Sequence, residues 1–377
     1  MKILHSIFNM GVKKGGTTTC TYNLIKGLNA LNIPTDVLCY DLEPGDKYPE
    51  KADFYKTVKL KHGKKFLYSK EYYKYLLDQP DYDLYHCNGL WQYPTHATAS
   101  YARKVGKPYL ISPHGMLYPE ALKSSSWIKY VSSIIWQNRD LMESAAIHVT
   151  CMEELNVIRD FGLNTPVAVI PNAIDIECID LPIVEHMGKI RIGFLGRLHP
   201  RKKVESLITA LSKLPRGVNI ELVVIGGGDL EYELYLKELA KRNNLQNQVT
   251  FYGFLEGKEK DDAINSLSYL AVPSDFENFG MIIAEALVKG IPVIASKGTP
   301  WQELNTSNCG WWVNNDVDTI TDIFHKISLI PESDRISMGM RGKELIKNNY
   351  SVKIVAQKMA CLYEHLLYNS EKPDFVF

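Results

Sequence analysis

Two stretches of the chain, residues 2–31 and 190–211, follow one plan, and that plan limits the fold more than any other feature. Each opens on a short apolar run, Lys-Ile-Leu-His-Ser-Ile-Phe at 2–8 and Ile-Arg-Ile-Gly-Phe-Leu at 190–195. Each then enters a glycine loop, with Gly11, Gly15 and Gly16 in the first and Gly196 in the second. Apolar residues at helical spacing follow: Leu24, Leu28 and Leu31, then Val204, Leu207, Ile208 and Leu211. Strand, glycine loop and helix in that order open a parallel sheet whose faces are covered by helices. Further short apolar runs continue each half, at 35–39, 84–87, 109–112, 146–150 and 167–170, then near 220–225, 249–252, 269–272, 291–295 and 311–313. The expectation is α/β, with two Rossmann-like doubly wound domains facing across a cleft.

A chain of 377 residues has length for two cores. The boundary is expected near 171–189, where prolines and mixed charge interrupt the periodicity. This gives an N-terminal domain at 1–172, a linker at 173–188 and a C-terminal domain at 189–351. With 43 basic and 43 acidic residues the net charge is zero, so no global field draws the chain to nucleic acid. The seven cysteines are scattered without a Cys-x-x-Cys pair, as in a reducing compartment. The opening apolar run is broken by His5, Ser6 and Asn9 and reads as a strand rather than a signal peptide. No apolar run approaches the length of a membrane span, and a cytoplasmic chain is expected.

In open parallel sheets ligands gather at the carboxyl ends of the strands, so the loops leaving strands carry the chemistry. "GRLHPRKK" at 196–203 places Arg197 and Lys202 between a strand and a helix. Free amides at a helix start, a planar guanidinium and an ammonium together outline a diphosphate site; a solvated basic turn is the alternative. Arg201 and Lys203 fit the solvated turn. Gly226, Gly227 and Gly228 follow the strand at 220–225 and either let the backbone approach a ligand or make a tight turn. Neither glycine loop is G-x-G-x-x-G, and although Asp41 stands where a ribose-binding acid could, a dinucleotide dehydrogenase is disfavoured. In "SDFENFGMIIAEALVKG", Glu277 lies in a loop and Glu285 in a helix expected at 281–289. Met281, Ile282 and Val288 flank Glu285 by one turn, so its carboxylate is expected to be buried and to need a partner, either a protein cation or ligand hydroxyls. His114, after the strand at 109–112, can donate to a phosphate or sugar or relay a proton; it can also be structural.

Taken together, these motifs resemble the retaining glycosyltransferases of family four, also called glycosyl transferases group 1, which have the two-domain GT-B fold. The match covers essentially the whole chain. "ENFGMIIAEALVKGIPVIAS" resembles the family's E-x7-E motif and "GRLHPRKK" its Gly-Arg…Lys phosphate loop; "SPHGML", "VIPNAID" and "GGGD" fall in the family's order. The resemblance implies roles. Arg197 and Lys202 stabilise the departing diphosphate, Glu277 touches the transferred sugar, and His114 lines the sugar or acceptor side. Donor binding falls to Gly15, Gly16, Gly196, Gly227, Gly228, Phe254, Asn278, Phe279, Gly280, Met281 and Glu285, with Glu285 on the ribose hydroxyls. Backbone groups near 252–255 read the base. Lys203 and Asn278 stand where the family often has glycine.

The resemblance further implies transfer from a nucleotide diphosphate sugar to a hydroxyl of a glycan or lipid-linked oligosaccharide, in cell-surface polysaccharide synthesis. It implies no cofactor and no obligatory metal, and a last helix, about 352–377, that crosses back to the N-terminal domain. Alternatives are a nucleotide-sugar epimerase on the same fold and a non-catalytic binding module. Residues 56–75, rich in lysine and aromatics, and 127–136, with tryptophans at both ends, suit an anionic membrane face; a solvated helix and a core helix are the alternatives.

Overall fold

The computed structural model describes residues 1–60, 68–79, 81–123, 129–130, 132–177, 182–185, 188–215 and 217–377. The chain divides into two compact units, Met1–Asp175 with Tyr350–Phe377, and Ile176–Asn349. It therefore passes between them twice, and Tyr350–Phe377, which includes the helix expected to cross back, belongs to the first unit.

The first unit holds a parallel sheet of seven strands: β1 (Ile3–Ser6), β2 (Thr35–Tyr40), β3 (Tyr55–Val58), β4 (Leu84–Asn88), β5 (Tyr109–Ser112), β6 (Ala146–Val149) and β7 (Val167–Val169). Their order is β3-β2-β1-β4-β5-β6-β7. β1, β4, β5 and β6 are buried along their whole length, as expected of strands covered on both faces. β3 was absent from the sequence reading. It is an edge strand with one fully exposed and three half-exposed residues, so it lacks the apolar run that betrays its neighbours. Residues 56–58 of the basic-aromatic stretch expected at 56–75 lie in this strand and stay partly or fully exposed; residues 61–67 of that stretch lie outside the described residues. The helix Lys70–Asp78 that completes it is capped by Ser69 and buries Tyr72 and Leu76. Of the stretch 127–136, residues 127, 128 and 131 lie outside the described residues; Tyr130 and Ile135 are exposed.

The helix Val352–Tyr368 packs on the helix Gly16–Ala30 of the same unit, and a side chain added at Gly27 would run into Val352 and Ala356. Beyond it, Val376 bridges antiparallel to Ala168 of β7. The Phe377 amide donates to the Val167 carbonyl at 2.8 Å, and the Phe377 carbonyl oxygen accepts from the Val167 amide at 3.0 Å.

The second unit holds six parallel strands: β8 (Ile190–Leu195), β9 (Ile220–Ile225), β10 (Val249–Gly253), β11 (Tyr269–Val272), β12 (Val293–Ser296) and β13 (Gly310–Val313), ordered β10-β9-β8-β11-β12-β13. Both sheets reverse direction of growth at their first strand, between β1 and β4 and between β8 and β11. The loops leaving those two strands diverge there and open a crevice. Among the described residues, no helix is long and apolar enough to cross a membrane.

Candidate functional site

In the second unit the loop after β8 meets the loops after β9 and β11 through backbone bonds. The amides of Gly196 and Leu198 donate to Ile225 and Gly227, and the Asp229 amide donates back to Leu198. A Cβ at Gly226 would stand 1.9 Å from the Gly196 carbonyl oxygen, and one at Gly228 2.3 Å from that of Leu198. Apposition of the two loops therefore accounts for the glycines at 226 and 228 without a ligand; Gly227 alone faces open space. The Asp275 amide donates to Arg201, which holds the β8 and β11 loops together.

On this frame Lys202 and Glu277 form an ion pair, and Ser274 Oγ donates to the same Glu277 oxygen at 2.9 Å. The Glu277 amide is fixed by the Gly298 carbonyl at 2.8 Å. Arg197 is exposed and has no ion pair among the described residues. Lys203, the residue that stands where the family often has glycine, adopts φ +55° and ψ +35° at the start of the helix Val204–Ser212. That is the left-handed region glycine enters freely, so the family preference has a backbone cause. Tyr232 Oη accepts from the Val204 amide, so part of this helix start is already satisfied within the protein.

Glu285 corrects the sequence reading. Its side chain is 30% exposed and paired with Lys260 Nζ at 2.6 Å, so it is not a buried orphan. The helix Met281–Val288 buries Ile283, Ala284, Ala286, Leu287 and Val288, while Met281 and Ile282 remain half-exposed beside Glu285. Apolar neighbours one turn away do not bury this carboxylate, because apolar residues line open faces too. The Phe279 ring is buried against Trp301, 5.3 Å between centroids, and its carbonyl accepts from Trp301 Nε1. It pins the loop that carries Asn278 and Gly280. Gly280, at φ +77°, turns that loop into the helix. Phe254 is 69% exposed at the end of β10, while the neighbouring Gly253 carbonyl is taken by the Gly226 amide.

In the first unit Gly15, at φ +80°, and Gly16 are exposed at the start of the helix Gly16–Ala30. His114 has φ +51°, and its Nε2 lies 3.1 Å from Asn88 Oδ1. Burial, then the neighbouring His148, lowers its pKa to about 3, so the ring is neutral at physiological pH. The Gly115 amide beside it donates to buried Glu154 at 2.6 Å.

The sequence reading missed Lys260 and a cluster at the ends of β1, β4, β5 and β6: His5, His86, Asn88, Ser112 and His148. A signal existed. β1, β4 and β6 each place a histidine third, in Ile-Leu-His, Leu-Tyr-His and Ala-Ile-His. Among the described residues no group of three or more His, Cys, Asp or Glu side chains is placed to hold a metal ion.

Residues 14–178 match the model of Glycosyltransferase Family 4 and residues 181–344 that of Glycosyl transferases group 1. A glycosyltransferase of Methanocaldococcus jannaschii without assigned activity is 28% identical over 242 residues, 59% of each chain. A GDP-mannose-dependent phosphatidylinositol monomannoside mannosyltransferase of Mycobacterium tuberculosis is 31% identical over 177 residues, 44% of this chain and 45% of that one. The matched region thus spans about half the length of these curated relatives. The crystal structure of Anabaena HepE with UDP and glucose superposes with a TM-score of 0.73 over 97% of this chain and 99% of that one, at 18% identity. Two Rossmann-like units, each matched by its own family model, place the chain in the glycosyltransferases of the GT-B fold, family 4 type.

Proposed function

We propose that this glycosyltransferase moves a sugar from a nucleotide diphosphate sugar to a hydroxyl of a glycan or lipid-linked acceptor, with retention at the anomeric carbon. The observation that carries the reading is the pairing of an exposed Arg197 with a Lys202–Glu277 ion pair at the switch point of the second sheet. The bond that breaks joins the anomeric carbon to a diphosphate oxygen. Positive charge grows on the sugar and negative charge on the leaving group, so fixed cations at the leaving group lower the barrier. Arg197 offers a planar fork to the phosphates. Lys202 turns from Glu277 toward them, which frees that carboxylate for sugar hydroxyls. Glu285, steadied by Lys260, accepts from the ribose. The two protein cations take the place a metal would fill, so the reading includes no obligatory metal.

Retention follows if the acceptor hydroxyl attacks the face the diphosphate leaves. The relatives' names speak for nucleotide-bearing donors, GDP-mannose in one and UDP in the other, and for a lipid-linked acceptor in the first. The exposed Tyr130 and Ile135 are consistent with such an acceptor reached at the cytoplasmic face of a membrane, in cell-surface polysaccharide synthesis.

The test is a thermal-shift screen of UDP, GDP, ADP and their sugars against the wild type, Arg197→Ala and Glu285→Ala. A ligand at a hundred times its dissociation constant stabilises by about 2.7 kcal/mol. One nucleotide should raise the melting temperature of the wild type and not of the variants. Folded protein that responds to no nucleotide at adequate concentration would sink the donor assignment.

A further inference from the structure

Four histidines crowd the carboxyl ends of the first sheet, and the hydrogen bonds between them fix where each proton sits. One end is anchored at the Ile170 carbonyl, which can only accept. His148 Nε2 lies 2.8 Å from it and therefore carries the proton, leaving Nδ1 bare. Ser112 Oγ, 2.6 Å from that Nδ1, donates to it and so accepts from His86 Nε2, also 2.6 Å away. His86 Nδ1 is then bare and accepts from Tyr363 Oη at 2.7 Å, and Tyr363 accepts from His5 Nε2 at 3.1 Å. His5 Nδ1 is left as an acceptor for Asn88 Nδ2 at 3.3 Å.

The other end is anchored independently. Asn88 Nδ2 lies 3.3 Å from the carbonyls of both Ser6 and His86, so the amide group must face them. Both anchors give the same polarity. The Asn88 carbonyl oxygen therefore points at His114 Nε2, which must carry the proton. Burial keeps the set neutral, with His5 lowered to about 3, His148 to about 4 and His86 well below its ordinary value. His114, Asn88, His86 and His148 line one small recess.

We propose that Asn88 is a positioning residue that holds His114 as the Nε2–H tautomer, so that His114 meets substrate only as an acceptor, through Nδ1, and takes a sugar hydroxyl rather than a phosphate oxygen. The hydroxyl part rests on the sugar-transfer reading above; the tautomer does not. Sequence alone left donation to phosphate open for His114, and this arrangement closes it because the single N–H is already spent on Asn88.

Histidine-selective 15N labelling with long-range proton–nitrogen correlation reads the tautomer directly, His114 being assigned with His114→Gln. The wild type should show a protonated Nε2 and a bare Nδ1; a protonated Nδ1 overturns the proposal without any Asn88 variant having to fold. Asn88→Ala should release the lock and give both tautomers, and Asn88→Asp should give a doubly protonated ring near neutral pH. A pure Nε2–H tautomer in a folded Asn88→Ala protein overturns the positioning role. Asn88→Ala should also lower kcat/KM for transfer roughly ten- to a hundredfold, with nucleoside diphosphate affinity unchanged. UDP-glucose, GDP-mannose or free glucose or mannose should move the Nδ1 resonance, and pyrophosphate, UDP or GDP alone should not. The same shift from a phosphate alone overturns the hydroxyl assignment. If no nucleotide sugar binds in the thermal screen, the hydroxyl assignment falls with the function and the tautomer result stands.

Discussion

At the switch point of the first sheet the polar side chains are neutral, buried and joined in one hydrogen-bonded series through His5, His86, Asn88, Ser112, His148 and Tyr363. At the corresponding point of the second sheet they are charged and partly exposed: Arg197, the Lys202–Glu277 pair, and Lys260 with Glu285 one helix away. The same topology thus presents two chemistries. Neutral donors and acceptors suit uncharged hydroxyls and hold their geometry at little electrostatic cost. Exchangeable ion pairs suit an anion that arrives carrying its own charge.

The contrast can be broken most forcefully with acid. The folded pKa values of buried His5, His86 and His148 lie below the unfolded 6.5. As pH falls below 6.5 the unfolded chain takes up protons first, so stability present above that value is lost progressively from about 6.5 down to about 3. The three together set an upper bound of about 6 kcal/mol lost between pH 7 and 5. Thermal melts and limited proteolysis at the two pH values should show the first unit failing first; equal loss in both units would erase the contrast. Next in size, Arg197→Ala should cost about a hundred- to a thousandfold in kcat/KM, as loss of one donor to a developing anion does elsewhere. Kinetics with the donor found in the thermal screen check it.

Glu277→Gln separates binding from transfer. Removing the carboxylate that holds Lys202 should leave nucleoside diphosphate binding equal or up to about tenfold tighter, while transfer falls. Calorimetry showing weaker binding would mean that Lys202 needs Glu277 to be in place. The smallest effect is expected from Lys203→Gly. Glycine relieves the left-handed strain at φ +55° and should stabilise by under about 1 kcal/mol. Destabilisation would show that the Lys203–Asp275 contact, at 3.6 Å, outweighs the strain.

The sheets were legible in the sequence because strands buried on both faces leave nearly unbroken apolar runs. β3 was not, since an edge strand such as Tyr-Lys-Thr-Val has no such run. The Arg197 and Glu277 loops were legible from motif and from their place after a strand. The state of Glu285 was not, because its partner Lys260 lies 25 positions away on another helix. The histidine series was illegible for a related reason. His5, His86 and His148 each look like one polar break in an apolar strand, and only the parallel register, which sets His5 beside His86 and Asn88 beside Ser112, joins them.

The first unit also borrows its last pieces from the far end of the chain. Tyr363 supplies the hydroxyl that links His5 to His86, and residues 375–377 run along the edge strand β7. During synthesis, therefore, the half of the protein that leaves the ribosome first is finished last. Until residues 350–377 emerge, the β7 edge, the flank of the helix Gly16–Ala30 and the histidine series stay open. The complete second unit is made in that interval, and the nascent first unit is most exposed to mispairing and to chaperones while it waits.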